Sequence, residues 1–411
     1  MKNYFLLVLF NLSVLVNLSQ GVRFDKERYT DEEPLEMDQL GFTDNLPEKY
    51  SLRKFCPPVL TQKGLTCVGW ASAYGAMSTI FNSKFDITKE NEKFLYSFDP
   101  NFIYSLISEN NKNDCMEGTS IVDAMEVLKN NGCKKMLLPE KTKCNSAISS
   151  VSKGYAIPFI IKMSNTPPEN WYENTNSEKI NMLKKSLYDD LPIILGMNTT
   201  KSLRNIASNG LWAPSKDDSL ASGHAVCIIG YDDNKYGGSF EIMNSWGKNY
   251  GDNGYNWVRY SDILNYIVEL HFISVYDFKK SVHSNYTCYY GDCLNGYGHK
   301  KNNDGSRIEG NFKDGQINGY GLKHYKNGAS YTGTWKNGKE DGSGYYFNPY
   351  ENKWFKAEFS NGELINKDAL GFIEETKKTN QNKLDDVMNY FNELDLLKVG
   401  ESTDIEILDN D

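Results

Sequence analysis

The sequence lacks several features that would assign a protein quickly to a class. Lys and Arg number 45 against 54 Asp and Glu among 411 residues, which gives a formal net charge of −9 at pH 7. Without a basic excess to displace counterions, nucleic acid is excluded as the main partner. No apolar run beyond the N-terminal segment is long enough to cross a bilayer. No Cys-x-x-Cys pair occurs among the eight cysteines, which argues against zinc.

The N-terminal segment, MKNYFLLVLFNLSVLVNLSQG, has a short positive start, an apolar run and small residues near Ser19 and Gly21. This layout predicts a secretory signal peptide over residues 1–21. A membrane anchor is the alternative, although polar residues interrupt the run. We therefore predict a secreted or periplasmic protein without a stable membrane span. Residues 22–45 are charged and poorly periodic, which predicts an extended arm or a short propeptide.

Export would change the interpretation of the cysteines, because most cysteines pair in an oxidising compartment. Cys227, within HAVCIIGY, is predicted to be a buried core thiol. The short-range disulfide candidates are Cys288 with Cys293, and two among Cys115, Cys133 and Cys144. Six cysteines lie in polar, loop-like contexts that suit disulfides: Cys56, Cys115, Cys133, Cys144, Cys288 and Cys293.

Residues 46–278 have the composition of an α+β domain in which helices precede strands. The stretches CVGWASAYGAMSTIF, TSIVDAMEVLKNNG and SEKINMLKKSLYDDL carry apolar residues at helical spacing. The later stretches PIILGM, HAVCIIGYDD, SFEIMNSWG and YNWVRYSDI are short and rich in β-formers, with glycine-rich turns between them.

Residues 287–365 contain a repeat with a period of 23 residues: NGYG at 295–298 recurs at 318–321 and as DGSG at 341–344. Each unit is a short alternating strand, an Asp-Gly or Asn-Gly turn and a second strand. The pattern resembles MORN repeats, and this resemblance implies a β-hairpin array used for protein or lipid contact or as a structural extension. Residues 366–411 form an acidic tail with one amphipathic helical stripe: Leu384, Val387, Met388, Phe391 and Leu394.

Cys67 opens one of the predicted helices, and a helix N-terminus stabilises a thiolate. Taken alone, this cysteine could equally be a core thiol or half of a disulfide. Among the five histidines, His224 stands out because it leads directly into an apolar strand, whereas the other four have no evident helpful neighbour. Asn244 ends the next strand, 20 residues further on. A hairpin of this length can bring His224 and Asn244 together, so that the amide orients the imidazole towards the cysteine.

Two further residues complete the set of roles that cysteine acyl transfer needs. Trp246 is placed to shield the contact between His224 and Asn244 from water. Gln62 precedes Cys67 on the same loop, and its side-chain NH2, with the backbone N–H of Cys67, is a candidate for stabilising an oxyanion. No cofactor is required.

The motifs LPEKYSLRKF, TCVGWA, CMEGTS, GHAVCIIGYDDN and NSWGKNYGDNGY resemble those of papain-like cysteine peptidases of the C1 type. The resemblance implies a two-lobed domain, a helical lobe followed by a β-rich lobe, over residues 46–278. It assigns the nucleophile to Cys67, the general base to His224, the orienting amide to Asn244 and the oxyanion glutamine to Gln62. The implied function is a secreted thiol endopeptidase that acts on peptides or proteins.

Several departures from the family pattern leave alternatives open. Val68 and Gly69 stand between Cys67 and Trp70, the spacing from Gln62 to Cys67 is one residue shorter than usual, and the long inhibitory prosegment is missing. A catalytically silent papain-like scaffold, acting as a binding or surface protein, is therefore the second hypothesis. A transglutaminase or amidase would expect an aspartate at the position of Asn244 and is disfavoured.

Overall fold

The computed structural model describes residues 21–30, 45–108, 115–136, 160–164, 175–206, 210–277, 288–351 and 353–369. The chain forms two compact units, Met1–Phe278 and Lys279–Asp411. Most of the predicted signal peptide, Cys144 and the predicted helix of the tail lie outside the described residues. Within the ranges given, no helix has the length and apolar character needed to span a membrane.

The helices of the first unit confirm the order predicted from the sequence. Their bounds are α1 (Lys26–Thr30), α2 (Cys67–Gly69), α3 (Ser78–Lys84), α4 (Glu90–Leu95), α5 (Pro100–Ile107), α6 (Ile121–Asn131), α7 (Asn176–Tyr188), α8 (Lys201–Arg204) and α9 (Tyr260–Ile263). Helix α1 lies within the predicted N-terminal arm, so this part of the arm is helical and not extended. Ser120 caps α6 by accepting a hydrogen bond from the amide of Val122.

A long buried helical segment forms the centre of the first unit. A π-helical segment, Trp70–Met77, joins α2 to α3 without interruption, and residues 66–82 are all buried. A helix that is enclosed on every side belongs to the interior of a domain. Gly69 permits close packing against α5, because a Cβ there would lie 2.2 Å from the carbonyl oxygen of Pro100.

The strands of the first unit form a sheet with the order β2-β8-β3-β5-β6-β7-β4, and β1 pairs with β5. The central strand β5 is paired antiparallel with β3 and with β6. The last predicted strand is shorter than expected, because Tyr260–Ile263 form α9. The strand bounds are β1 (Lys49–Ser51), β2 (Ile160–Ser164), β3 (Ile193–Thr200), β4 (Leu211–Trp212), β5 (Leu220–Asp232), β6 (Ser239–Met243), β7 (Tyr255–Arg259) and β8 (Ile267–Asp277).

The second unit is an antiparallel sheet in which eight strands follow one another in chain order. They are β9 (Cys288–Gly291), β10 (Tyr297–Lys301), β11 (Arg307–Lys313), β12 (Gln316–His324), β13 (Ser330–Lys336), β14 (Lys339–Asn348), β15 (Lys353–Ser360) and β16 (Glu363–Ala369). The sheet confirms the β-hairpin array predicted from the period of the sequence. Its last strand ends at Ala369, beyond the predicted boundary at residue 365.

The repeated glycines line up across the second sheet. Paired positions on five successive strands are occupied by Gly298, Gly310, Gly321, Gly333 and Gly344. The row makes room for larger side chains that fold over it: a Cβ on Gly333 would lie 2.5 Å from the Tyr331 hydroxyl. The glycine spacing seen in the sequence is therefore a packing requirement. The buried cluster of this unit comprises Phe312, Ile317, Tyr331 and Trp335.

Candidate active site

Cys67 is the first residue of α2, and its side chain is fully buried and is a free thiol. The preceding Thr66 donates its hydroxyl to the carbonyl of Lys63 and makes no side-chain cap to the helix. The backbone of Ala225 lies near enough to the sulfur to lower the pKa of the thiol, against the larger effect of burial. The disulfide alternative for Cys67 is therefore wrong, and the thiol lies against the residue that follows His224.

His224 and Asn244 meet because β5 and β6 are neighbours in the sheet. The Nε2 atom of His224 lies 3.0 Å from Oδ1 of Asn244, and both residues are buried. The same amide oxygen accepts a hydrogen bond of 2.8 Å from the amide of Ser245, which fixes the orientation of the carboxamide. This contact assigns Nε2 as the donor and leaves Nδ1 as the second ring nitrogen.

Trp246 covers the imidazole, as the sequence predicts. Its ring stacks on that of His224 with centroids 4.7 Å apart and an angle of 19° between the planes. Tyr250 packs edge-on against Trp246 at 5.0 Å. These two rings restrict access of water to the contact between His224 and Asn244.

Burial determines the protonation states of the Cys67 thiol and the His224 imidazole. It raises the pKa of the Cys67 thiol to about 12 and lowers the pKa of the His224 imidazole to about 4, although the hydrogen bond that His224 donates to Asn244 acts in the opposite direction. Burial disfavours the charged form of each group. At neutral pH the sulfur therefore carries its proton and the ring is uncharged.

Gln62 lies beside the loop that contains Asn244. Its backbone amide donates to the carbonyl of Ser245 at 2.7 Å, and its Oε1 accepts the Ser245 hydroxyl at 2.6 Å. The Nε2 atom donates to the carbonyl of Gly64 at 2.7 Å. An amide nitrogen has two hydrogens, so this bond uses one of the two donors. Ser245, which fixes the Gln62 carbonyl, was not singled out by the sequence.

The sulfur of Cys67 is covered by an N-terminal segment that sequence reasoning did not connect with it. We call residues 21–30 the arm segment. A Cβ on Gly21 would lie only 2.7 Å from Sγ of Cys67, so the backbone of the arm segment passes directly over the sulfur. Only a residue without a side chain fits there.

The arm segment is hydrogen-bonded to both walls of a groove, one at Gly223 and the other at Thr119. The Gly21 amide donates to the Gly223 carbonyl at 3.3 Å, and the Thr119 amide donates to the Gly21 carbonyl at 3.3 Å. The Arg23 amide donates to the Thr119 carbonyl at 2.9 Å, and Val22 forms a parallel bridge with Thr119. The groove therefore binds an extended peptide backbone, here supplied by the chain itself.

Side-chain contacts hold the rest of the arm segment against Glu117, α6 and β8. Arg23 forms an ion pair of 2.5 Å with Glu117, and Arg28 pairs with Asp123 and Glu126 on α6 at 2.5 and 3.1 Å. The hydroxyl of Tyr29 contacts the backbone of β8 at Leu270. No local signal in the sequence indicates these contacts, because each joins residues that lie far apart in the chain.

Among the other cysteines, the observed disulfides and free thiols differ in part from those that the sequence predicts. Cys288–Cys293 is a disulfide, as predicted, and Cys115 is disulfide-bonded. Cys56, whose context suited a bridge, and Cys133, one of three candidates for a short-range pair, are buried free thiols, because they lie in the core and not in polar loops. Cys227 is the buried core thiol that its apolar context predicts.

Two other histidines have partners that the sequence did not reveal. His271 lies 3.1 Å from the Glu269 carboxylate on β8, and both are buried. His324 lies 2.7 Å from the Ser330 hydroxyl in the second unit. Alternation along a strand places residues i and i+2 on one face, so the pair on β8 could have been predicted.

Comparison with known families agrees with the fold. Residues 76–269 match the model of the papain family cysteine proteases, and residues 309–330 and 331–349 match the MORN repeat. The chain therefore carries a papain-family peptidase domain followed by MORN repeats, which confirms the resemblance. The papain-family match includes His224 and Asn244 and begins after Gln62 and Cys67.

Individual relatives are distant. The chain is 30% identical over 86 residues to an uncharacterized peptidase C1-like protein of Acanthamoeba polyphaga mimivirus; the match covers 20% of this chain and 27% of that protein. The chain is similar to xylellain, a cysteine protease from Xylella fastidiosa, with 22% identity, a TM-score of 0.46 and coverage of 63% and 97% of the two chains. It is also similar to procathepsin B S9 from Trypanosoma congolense, with 15% identity, a TM-score of 0.46 and coverage of 62% and 86%.

Proposed function

We propose that this chain is a secreted cysteine endopeptidase that hydrolyses peptide bonds through an acyl-enzyme on Cys67. One arrangement carries the proposal: Cys67 is a free thiol at the start of α2 beside the backbone of Ala225, and His224, the residue before Ala225, is oriented by Asn244. A peptide backbone already lies across the sulfur in the form of the arm segment, which supports a peptide as substrate.

The chemistry follows from the atoms available when the arm segment leaves the groove. Nδ1 of His224 takes the thiol proton, because Nε2 is engaged by Asn244. The thiolate attacks the peptide carbonyl carbon, and the oxyanion is stabilised by the backbone N–H of Cys67 and the second N–H of Gln62. The C–N bond breaks as His224 returns its proton to the leaving amine. Water then attacks the thioester with His224 as base, which releases the acid and restores the thiol.

The arm segment makes the described form a latent one. Gly21 covers the sulfur, and residues 21–23 occupy the backbone positions that a substrate would use. If the signal peptide ends at Gly21, export removes the residue that contacts Cys67 and leaves Val22 as the new N-terminus. The ion pairs of Arg23 and Arg28 remain. Removal of the signal peptide would then uncover the nucleophile without freeing the whole groove.

The MORN unit is proposed to act as an accessory contact module. Its sheet is a separate compact unit with its own buried cluster and its own disulfide, Cys288–Cys293. Protein or lipid contact is the role that fits an appended repeat sheet.

The test is labelling and turnover at pH 7 with an epoxide thiol probe and quenched peptide substrates. We expect the chain that begins at Val22 to be labelled at Cys67 and to hydrolyse peptides, and both activities to be lost in His224→Ala. The matched control is His324→Ala, which removes a buried histidine of the other unit and should retain both. Labelling of Cys67 no faster than that of a free thiol would contradict the proposal.

The second candidate is a silent papain-like scaffold. One observation favours it: both ends of the Gln62 carboxamide are engaged, with Gly64 and with Ser245. Under this hypothesis the chain from Val22 would bind peptides without hydrolysing them, and His224→Ala would leave the labelling rate of Cys67 unchanged.

A further inference from the structure

One wall of the groove carries a carboxylate, that of Glu117, to which the catalytic roles assign no part. Glu117 stands two residues before Thr119, and its side chain is only 8% exposed. Its backbone is fixed by Tyr104, whose hydroxyl donates to the Glu117 carbonyl at 2.8 Å and accepts from the Glu117 amide at 3.3 Å. The carboxylate is therefore presented from a fixed position beside the groove.

The Glu117 carboxylate binds the guanidinium of Arg23, a residue of the arm segment that lies in the groove. Arg23 pairs with Glu117 at 2.5 Å, while its own side chain remains 48% exposed. Its backbone amide is bonded to Thr119 at the same time. Because the backbone and the side chain are both engaged, the register between the peptide and the groove is fixed. Gly21 lies at the sulfur, and the basic residue lies two positions away.

We propose that Glu117 selects a basic side chain in the substrate, so that the preferred substrates are peptides with arginine or lysine two residues from the one that lies at Cys67. This inference rests on the proposed peptidase function. A mostly buried carboxylate gains most from a cationic partner, because charge-assisted hydrogen bonds strengthen where water is excluded. A substrate that replaces the arm segment restores this partner only if it brings a cation to the same place.

The second basic residue of the arm segment contributes less to selectivity. Arg28 meets Asp123 and Glu126, whose side chains are 35% and 56% exposed. Ion pairs at this exposure are screened by solvent and salt and contribute little. Selectivity at Glu117 should therefore persist at high salt, whereas any preference that depends on α6 should fade.

The experiment measures the hydrolysis of matched peptide pairs. Each pair carries arginine or its uncharged isostere citrulline, placed in turn at the three positions on either side of the cleaved bond. The enzyme is the chain from Val22 with Arg23→Gln, which removes the competing guanidinium. We expect kcat/KM to favour arginine by about 10- to 100-fold at one position, the range for a hydrogen bond to a charged group.

Substitutions of Glu117 test whether its carboxylate causes the preference for arginine. Glu117→Gln should bring the ratio of arginine to citrulline close to one, and Glu117→Arg should favour a glutamate peptide at the same position. The control is Asp262→Asn, a carboxylate paired instead with Arg259, which should leave the ratio unchanged. Since each ratio is measured within one variant, a lower folded fraction cancels. An arginine preference that survives Glu117→Gln, or equal rates for each pair, would overturn the proposal.

Failure of the peptidase function gives a different result. In that case no peptide is cleaved and Cys67 is not labelled by the epoxide. The same chain can then be titrated with a fluorescent GVRF peptide and its citrulline counterpart, with anisotropy as the readout. Tighter binding of the arginine peptide that is lost in Glu117→Gln supports the role of Glu117, and equal binding rejects it.

Discussion

The contact between Gly21 and the sulfur of Cys67 gives a sharp prediction for the single substitution Gly21→Ala in the full chain. The added Cβ would lie 2.7 Å from Sγ of Cys67 and 3.7 Å from the Gly223 carbonyl oxygen. Ordinary contact begins at about 3.5 Å, so the first distance is a severe overlap. Overpacking of this kind costs about 1–3 kcal/mol. The equilibrium between the covered and uncovered sulfur should therefore shift by about 5- to 150-fold towards the uncovered form.

The assay is alkylation by iodoacetamide at pH 7, followed site by site by mass spectrometry. Covered Cys67 is protected twice, because it is buried and because its pKa is raised to about 12. Its rate of modification therefore reports the uncovered fraction. Three other buried free thiols, Cys56, Cys133 and Cys227, provide internal controls. They become reactive only when the domain unfolds more widely.

We expect Gly21→Ala to accelerate the modification of Cys67 by the factor given above and to leave the other three thiols unchanged. A parallel rise at all four cysteines would mean that the substitution destabilises the domain and does not displace the arm segment. An unchanged rate at Cys67 would refute the assignment of Gly21 as the residue that covers the nucleophile.

Three further predictions address the remaining parts of the molecule. Asn244→Ala should lower kcat far more than it changes KM in the chain from Val22, because the amide orients the base; a loss dominated by KM would contradict this role. The His224 imidazole has its pKa lowered to about 4 by burial, so the unfolded chain binds a proton that the folded chain does not. The free energy of unfolding should therefore fall by about 3 kcal/mol as pH drops from about 6.5 to 4, and a His224→Gln variant, followed by urea unfolding, should lack this loss. Gly333→Ala should lower the thermal midpoint of the repeat unit, because the Cβ would lie 2.5 Å from the Tyr331 hydroxyl and 2.7 Å from Cα of Gly344; an unchanged midpoint by calorimetry would contradict the packing role of the glycine row.

The parts of the site that the sequence predicted are those with a local signature. Cys67 opens a helix whose apolar pattern is visible. His224 lies on β5, and Asn244 directly follows β6, the neighbouring strand that a short connection joins to β5. Their closeness along the chain and the strand pattern were enough to predict that the two side chains meet. In the structure, Nε2 of His224 lies 3.0 Å from Oδ1 of Asn244. The repeat was predictable for a similar reason, because a 23-residue period places each glycine opposite another across the sheet.

The parts that could not be predicted depend on contacts between distant segments. The bonds of Gly21 to Gly223 and Thr119 are made by backbone atoms, which leave no trace in side-chain composition. The state of Cys56 was predicted wrongly for a related reason. In the sequence it stands between the charged pair Arg53 and Lys54 and two prolines, a stretch typical of a loop, yet it lies in the core against Leu52 and Thr79. Burial raises the pKa of its thiol to about 12.

The covering of the sulfur has an electrostatic consequence beyond steric exclusion. The proposed mechanism requires the proton to pass from Cys67 to His224, but the two pKa values lie near 12 and 4 in the covered state. That order places the proton on the sulfur and leaves the ring uncharged. Burial produces both values, so departure of the arm segment moves them towards each other as water enters. Access to substrate and activation of the nucleophile therefore depend on the same event, and a small reagent that reached the covered sulfur would still find a thiol and not a thiolate.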